Sequence, residues 1–149
     1  MSFVSQSTTL SAYRSSHEAE VLSSSPLELT RLLYKGAIDA VEASRSHLAK
    51  GQIRQRSASI TKATLIINEL RSSLDIENGG KLAVDLRELY DYMQRQLTGA
   101  NIEQIDSPLA SVHSLLCTLY DAWLQINPPQ VFASHDAGDV AEIRHSYSY

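Results

Sequence analysis

Residues 79–101, GGKLAVDLRELYDYMQRQLTGAN, decide how this chain folds. Two glycines open the stretch and Gly99 weakens its end. Between them Leu82, Leu86, Leu89, Met93 and Leu97 recur at three-and-four spacing, with Ala100 closing the row. That period places one apolar stripe on one helix face. Beside it Ala83 and Tyr90, seven apart, fall on a flank that a simple bundle helix would fill with charge.

The segments on either side read the same way. Ser25-Pro26-Leu27-Glu28 is a helix start, with a serine cap, proline where no N–H is needed, and glutamate at the capping-box position. Leu29, Leu33, Ala37, Val41, Ser44 and Leu48 form the stripe that follows, ending at Gly51, while Leu27, Tyr34 and Ile38 line a neighbouring flank. A second helix carries Ile53, Ile60, Ala63, Ile67, Leu70 and Leu74, with Ile66 on its shoulder and Leu65 turned nearly away. Asp75 to Gly80 reads as a short turn into the opening stretch.

A fourth helix begins near Ser107-Pro108. It turns Leu109, Val112, Leu116, Leu119 and Trp123 inward, keeps Leu115, Ala122 and Ile126 on a shoulder, and stops at Pro128-Pro129. Short connections force neighbouring helices to run in opposite directions, so the expectation is an all-α, antiparallel four-helix bundle over residues 25–127. Residues 1–24 read as a flexible arm whose Ala12–Leu22 segment forms either a short helix or an extended stretch anchored by Tyr13, and residues 128–149 as a flexible tail.

Composition narrows the function. At 149 residues and 43% hydrophobic content the chain fits a single globular domain. The formal charge of −4 argues against nucleic acid as a partner, since phosphate binding calls for a net basic face. Lys50, Arg54, Arg56 and Lys62 form a locally basic stretch, read as a solvated helix face. No leader-like block opens the chain, and no run approaches the roughly 20 apolar residues of a membrane span. The single cysteine, Cys117, reads as a small packed hydrophobe in a reducing cytoplasm.

Catalysis finds little footing. The five histidines are scattered without metal-ligand spacing, the serines lack a paired base, and Glu42 and Glu69 do not supply the Glu and Glu-x-x-His pattern of a bundle-core metal site. His135, Asp136, Asp139, Glu142 and His145 cluster near the C-terminus without a rigid scaffold and read as a solvated tail. No metal, cofactor or enzymatic activity is expected. The informative feature is the surplus apolar flank: Leu27, Tyr34, Ile38, Leu65 or Ile66, Ala83, Tyr90, Leu115, Ala122 and Ile126 widen each helix beyond one buried stripe. Generous core packing or self-association explains it on one side, and grooves awaiting partner helices on the other.

In combination and order, Ala12-Tyr13, the Val21 to Pro26 segment, Leu33-Tyr34-x-Gly36-Ala37-Ile38, Ile60-x-Lys62-Ala63, Ile66-Ile67-x-Glu69-Leu70, Ser73-Leu74-Asp75, Gly79-Gly80, Leu89-Tyr90-x-Tyr92-Met93, Ala100-Asn101 and Ala122-Trp123 resemble the flagellar export chaperone family FliS. The resemblance spans Ala12 to about Ile126. It departs at Lys35, where an acidic residue is expected, at Ser23 and Ser24, and beyond Pro129, where no family counterpart is found. It implies a cytoplasmic chaperone that holds the C-terminal segment of flagellin as helices laid around the bundle. The cargo is thereby kept from polymerising and handed to the flagellar type III export apparatus. By resemblance the flank residues become cargo-binding positions and Tyr13 becomes a plug over the groove. The alternative is a structural or regulatory helical bundle that self-associates through the same flanks as a homodimer.

Overall fold

The computed structural model describes residues 25–125, which form four helices: α1 (Pro26–Ala49), α2 (Ile53–Ser72), α3 (Ile76–Glu103) and α4 (Ser107–Gln125). Each packs against its neighbour in sequence, and α1 closes the ring against α4. The connections are three residues each, so successive helices run antiparallel, as expected for an all-α four-helix bundle. Tyr13, Ile126, the N-terminal arm of residues 1–24 and the whole C-terminal tail of residues 128–149 lie outside the described residues.

Local chemistry sets each boundary. Ser25 Oγ accepts the Glu28 N–H at 3.3 Å ahead of Pro26, which is the cap-and-proline start expected for α1. Gly51, at φ 68°, lets the chain leave α1 in a left-handed conformation. The turn expected over Asp75 to Gly80 is instead mostly helical. Asp75 caps α3 by accepting the Asn78 N–H at 3.1 Å, and the break comes at Gly80, whose φ 58° and ψ −140° no helix accommodates. At the far end Gln104 takes up the left-handed cap at φ 57°.

The main correction concerns which face of each helix is interior. In α3 the buried row is Ala83, Leu86, Tyr90, Met93, Leu97 and Ala100, an uninterrupted alternation of three and four. Leu82 is 44% exposed and Leu89 only half-buried, so the helix is rotated by part of a residue step from the expected phase. α1 likewise buries Tyr34 with Leu33, Ala37 and Val41, and α2 buries Ile66 with Ile67. Ile53, expected in the α2 stripe, stands 57% exposed.

Antiparallel order gives the core two chemically different ends. Where α1 begins and α4 ends lie Tyr34, Tyr90 and Trp123, an aromatic end. Where α2 begins and α3 ends lie Arg56, Ser57, Asn101 and Gln104, a polar end.

Candidate functional site

Four of the ten flank residues are core. Tyr34, Ala83 and Tyr90 have no exposed surface and Ile66 has 1%, so they present nothing to a partner. Their burial follows from chemistry that crosses the bundle: the Tyr34 and Tyr90 hydroxyls share a hydrogen bond of 2.5 Å, and the Tyr34 ring lies 6.5 Å from Tyr90 and 6.4 Å from Trp123. Each phenol thus satisfies the other in a dry site, which is what allows two polar tips inside a core. Burial pushes both hydroxyls above the usual tyrosine range, so they stay protonated.

The remaining flank residues divide among three surfaces. Leu27 and Ile38 are half-buried on the side of α1 that carries Arg31 and Arg45. Arg31 donates to the Trp123 carbonyl at 2.9 and 3.2 Å and Arg45 pairs with Asp106 at 2.8 Å, so this side faces α4. Leu115 and Ala122 lie on the opposite side of α4, where Leu115, Leu119 and Ala122 recur at four and three toward α3. Leu115 and Leu119 are half-buried against the core, and Ala122 is exposed. Leu65 is half-buried on the outward side of α2, apart from the others.

Leu82 and Leu89, expected inward, complete the apolar seam between α3 and α4 from the α3 side. The α2-facing side of α3 is taken by Asp91 and Gln94, which bond Arg71 at 2.6 Å and the Thr64 carbonyl at 3.1 Å. Leu82 and Leu89 therefore turn the other way, toward α4. Their seven-residue spacing was the available signal. It was hidden because the same residues also complete a plausible core stripe.

The polar end holds a second surprise. Arg56, expected on a solvated face, is 4% exposed. It donates to Asn101 Oδ1 at 3.3 Å, the Asn101 carbonyl at 3.4 Å and Gln104 Oε1 at 3.5 Å, while the Ser57 hydroxyl donates to Asn101 Oδ1 at 3.1 Å. A buried guanidinium is thus neutralised only by amide dipoles, with no carboxylate in its hydrogen-bond set. Around it Ile53, Ile102 and Ile105 are 57%, 73% and 42% exposed.

Among the described residues no group of histidine, cysteine and carboxylate side chains has the arrangement to hold a metal ion. Cys117 lies 3.9 Å from His113 Nδ1, but burial and the negative charges of Asp121 and Glu42 push its thiol up, the wrong direction for a nucleophile. No described helix is long and apolar enough to cross a membrane. What the surface offers is an apolar seam and apolar rims, which suit packing against another helix better than bond-making.

Comparison with known proteins points the same way. The family model described as "Flagellar protein FliS" matches residues 9–130. The flagellar secretion chaperone FliS of Salmonella typhimurium is 39% identical over 116 residues, covering 77% of this chain and 86% of the relative. That of Vibrio cholerae is 33% identical over 121 residues, 80% of this chain and 89% of the relative. The Bacillus subtilis protein of the same name is 28% identical over 129 residues, 87% of this chain and 96% of the relative.

Proposed function

Since the chain belongs to the FliS family, we propose that it is a cytoplasmic chaperone for flagellin. In this reading it binds the cargo's disordered C-terminal segment as helices on the bundle surface and delivers it to the flagellar export apparatus. Family membership supports the export role, since the relatives are named flagellar secretion chaperones. The observation that carries the binding mode is the seam of Leu82, Leu89, Leu115, Leu119 and Ala122, which stays partly open although the core beneath it is complete.

An amphipathic cargo helix covers such a seam with its own i, i+3, i+4 and i+7 residues. Its ordering, in a process that buries about 1,000–3,000 Å², consumes part of the gross interaction and keeps grip compatible with release. The rim residues Leu27, Ile38, Leu65, Leu115 and Ala122 carry contact in this reading, and Ile126, which continues their spacing in the sequence, is assigned the same role. The four core residues act only by holding the helices apart at the right spacing. Tyr13 is assigned the role of a plug displaced by cargo.

Isothermal titration with the C-terminal segment of the same organism's flagellin, with helicity followed by circular dichroism, tests the proposal. The expected result is one-to-one binding with a negative heat-capacity change and a gain of helix. Ile38→Asp and Leu115→Asp should each weaken affinity roughly tenfold, the order of a rim-to-centre contact, with helicity retained. Tyr13→Ala should leave the fold intact and change the off-rate. A folded chain that ignores flagellin and forms a concentration-dependent homodimer would replace the chaperone reading with self-association.

A further inference from the structure

The polar end of the bundle has the makings of a docking face that the cargo reading does not use. Ile53 lies one turn before Ser57 on the side of α2 toward α3, and Ser57 reaches Asn101 at 3.1 Å. Ile102 and Ile105 flank the left-handed Gln104, whose side chain accepts from Arg56. Three isoleucines therefore stand exposed around one corner. Lys50 and Arg54 are exposed beside them, Arg56 lies beneath, and Asp106 is already paired with Arg45. Glu103 is the remaining carboxylate at this corner, so the face is apolar and locally positive on a chain of net charge −4.

The occupant is argued from the rest of the chain. The family match ends at residue 130, so residues 131–149 lie beyond it as a C-terminal extension. In sequence they place Asp136, Asp139 and Glu142 around Val140 and Ile143, with Arg144 the one arginine or lysine. This is a short acidic and apolar segment, complementary to the face in both respects. The aromatic end, where α4 stops at Gln125, sets Glu28, Asp75, Glu77 and Asp121 against Arg31, Lys35, Arg71 and Lys81, so it lacks the excess of positive charge found at the polar end. Reach is sufficient: α4 is about 28 Å long at roughly 1.5 Å per residue. The fifteen residues from Gln125 to Val140 span up to about 50 Å when extended. Tethering supplies an effective concentration on the order of mM, so weak contacts suffice.

We propose that the C-terminal extension folds back along α4 and docks its Asp136–Ile143 segment on the Ile53, Ile102 and Ile105 face, held by Lys50 and Arg54. The contact is intramolecular, and opening it exposes a basic, apolar corner at the end of the bundle opposite Trp123.

The test uses the full chain with Cys117→Ser and a nitroxide attached at Ser146→Cys, read by methyl signals of the isoleucines. Ile53, Ile102 and Ile105 should broaden selectively while Ile76, at the aromatic end, does not. The effect should disappear in the chain that also carries Asp136→Lys, Asp139→Lys and Glu142→Lys, and shrink at 0.5 M salt, about a 4 Å screening length. Three results would overturn the proposal: broadening equal at Ile76, broadening that survives charge reversal, or broadening that appears only between labelled and unlabelled copies, which would place a second molecule on the face. If Cys117→Ser does not fold, hydrogen exchange on the otherwise native chain serves instead. Amides of residues 101–107 should exchange several-fold faster after the triple reversal, and unchanged exchange would equally reject the docking.

Discussion

At one end of the bundle Tyr34, Tyr90 and Trp123 meet with a single hydroxyl pair between them; at the other, Arg56 is sealed among Ser57, Asn101 and Gln104. The first is an apolar core that tolerates two polar tips because they answer each other. The second is a polar cluster inserted where an apolar one would fit, and its charge is met only by long hydrogen bonds. The same four helices are therefore held at one end mainly by area removed from water, and at the other mainly by directional contacts that fix how α2 meets α3. Polar clusters of the second kind add little net stability but are costly to leave half-satisfied.

Unequal responses to substitution follow. Tyr90→Ala removes a fully buried ring and takes one hydrogen-bond partner from the Tyr34 hydroxyl, so it should cost about 3–5 kcal/mol in denaturant unfolding, much of a small domain's total stability. Arg56→Ala should cost about 2 kcal/mol, because it removes a buried side chain and the guanidinium bonds to the Asn101 carbonyl and Oδ1 without opening an aromatic-sized cavity. Should Arg56→Ala prove the more damaging, the polar end would be the true anchor and the contrast would invert.

Smaller changes sharpen the picture. Tyr34→Phe keeps the ring and deletes one hydroxyl, so about 1 kcal/mol is expected, with the midpoint shifted and the denaturant slope unchanged. The smallest effect belongs to the Arg45–Asp106 pair. Arg45 holds the Asp106 carboxyl below its usual range, so its contribution is present above the unfolded value of about 3.9 and fades as pH falls through the lower folded value. Both side chains are more than a third exposed, so Asp106→Asn should cost about 0.5 kcal/mol or less near neutrality and nothing in acid. An acid-insensitive deficit would mean that Asp106 acts through α4's first turn instead of through the ion pair.

The number, order and direction of the helices were legible in the sequence because they rest on local signals: the Ser25-Pro26 start, the three-and-four spacing and the short connections. The phase of α3 was not. Leu82-Leu86-Leu89-Met93 and Ala83-Leu86-Tyr90-Met93 are both sound helical rows, and the choice between them depends on Tyr34, 56 residues away, supplying Tyr90 with a hydrogen-bond partner. Arg56 misled for the same reason, since its acceptors lie at the end of another helix. Of the candidate site, the α4 shoulder formed by Leu115 and Ala122 was placed on a surface, while Tyr34, Ala83 and Tyr90 were assigned outward because a polar or small residue beside a leucine row looks like a flank, and Ile66 because Ile67 beside it already completes a helical stripe.

Trp123 is the chain's one tryptophan, and it sits 6.4 Å from Tyr34 with its backbone carbonyl clasped by Arg31. At that separation light absorbed by Tyr34 is passed to the indole, and emission from the whole protein is dominated by a single chromophore in the aromatic cluster. Intrinsic fluorescence therefore watches one half of the molecule, whereas far-ultraviolet ellipticity sums over all four helices. Coincident curves from the two would mean that the halves melt together, and an indole that reddens first would reveal the aromatic end opening while the rest of the bundle still stands.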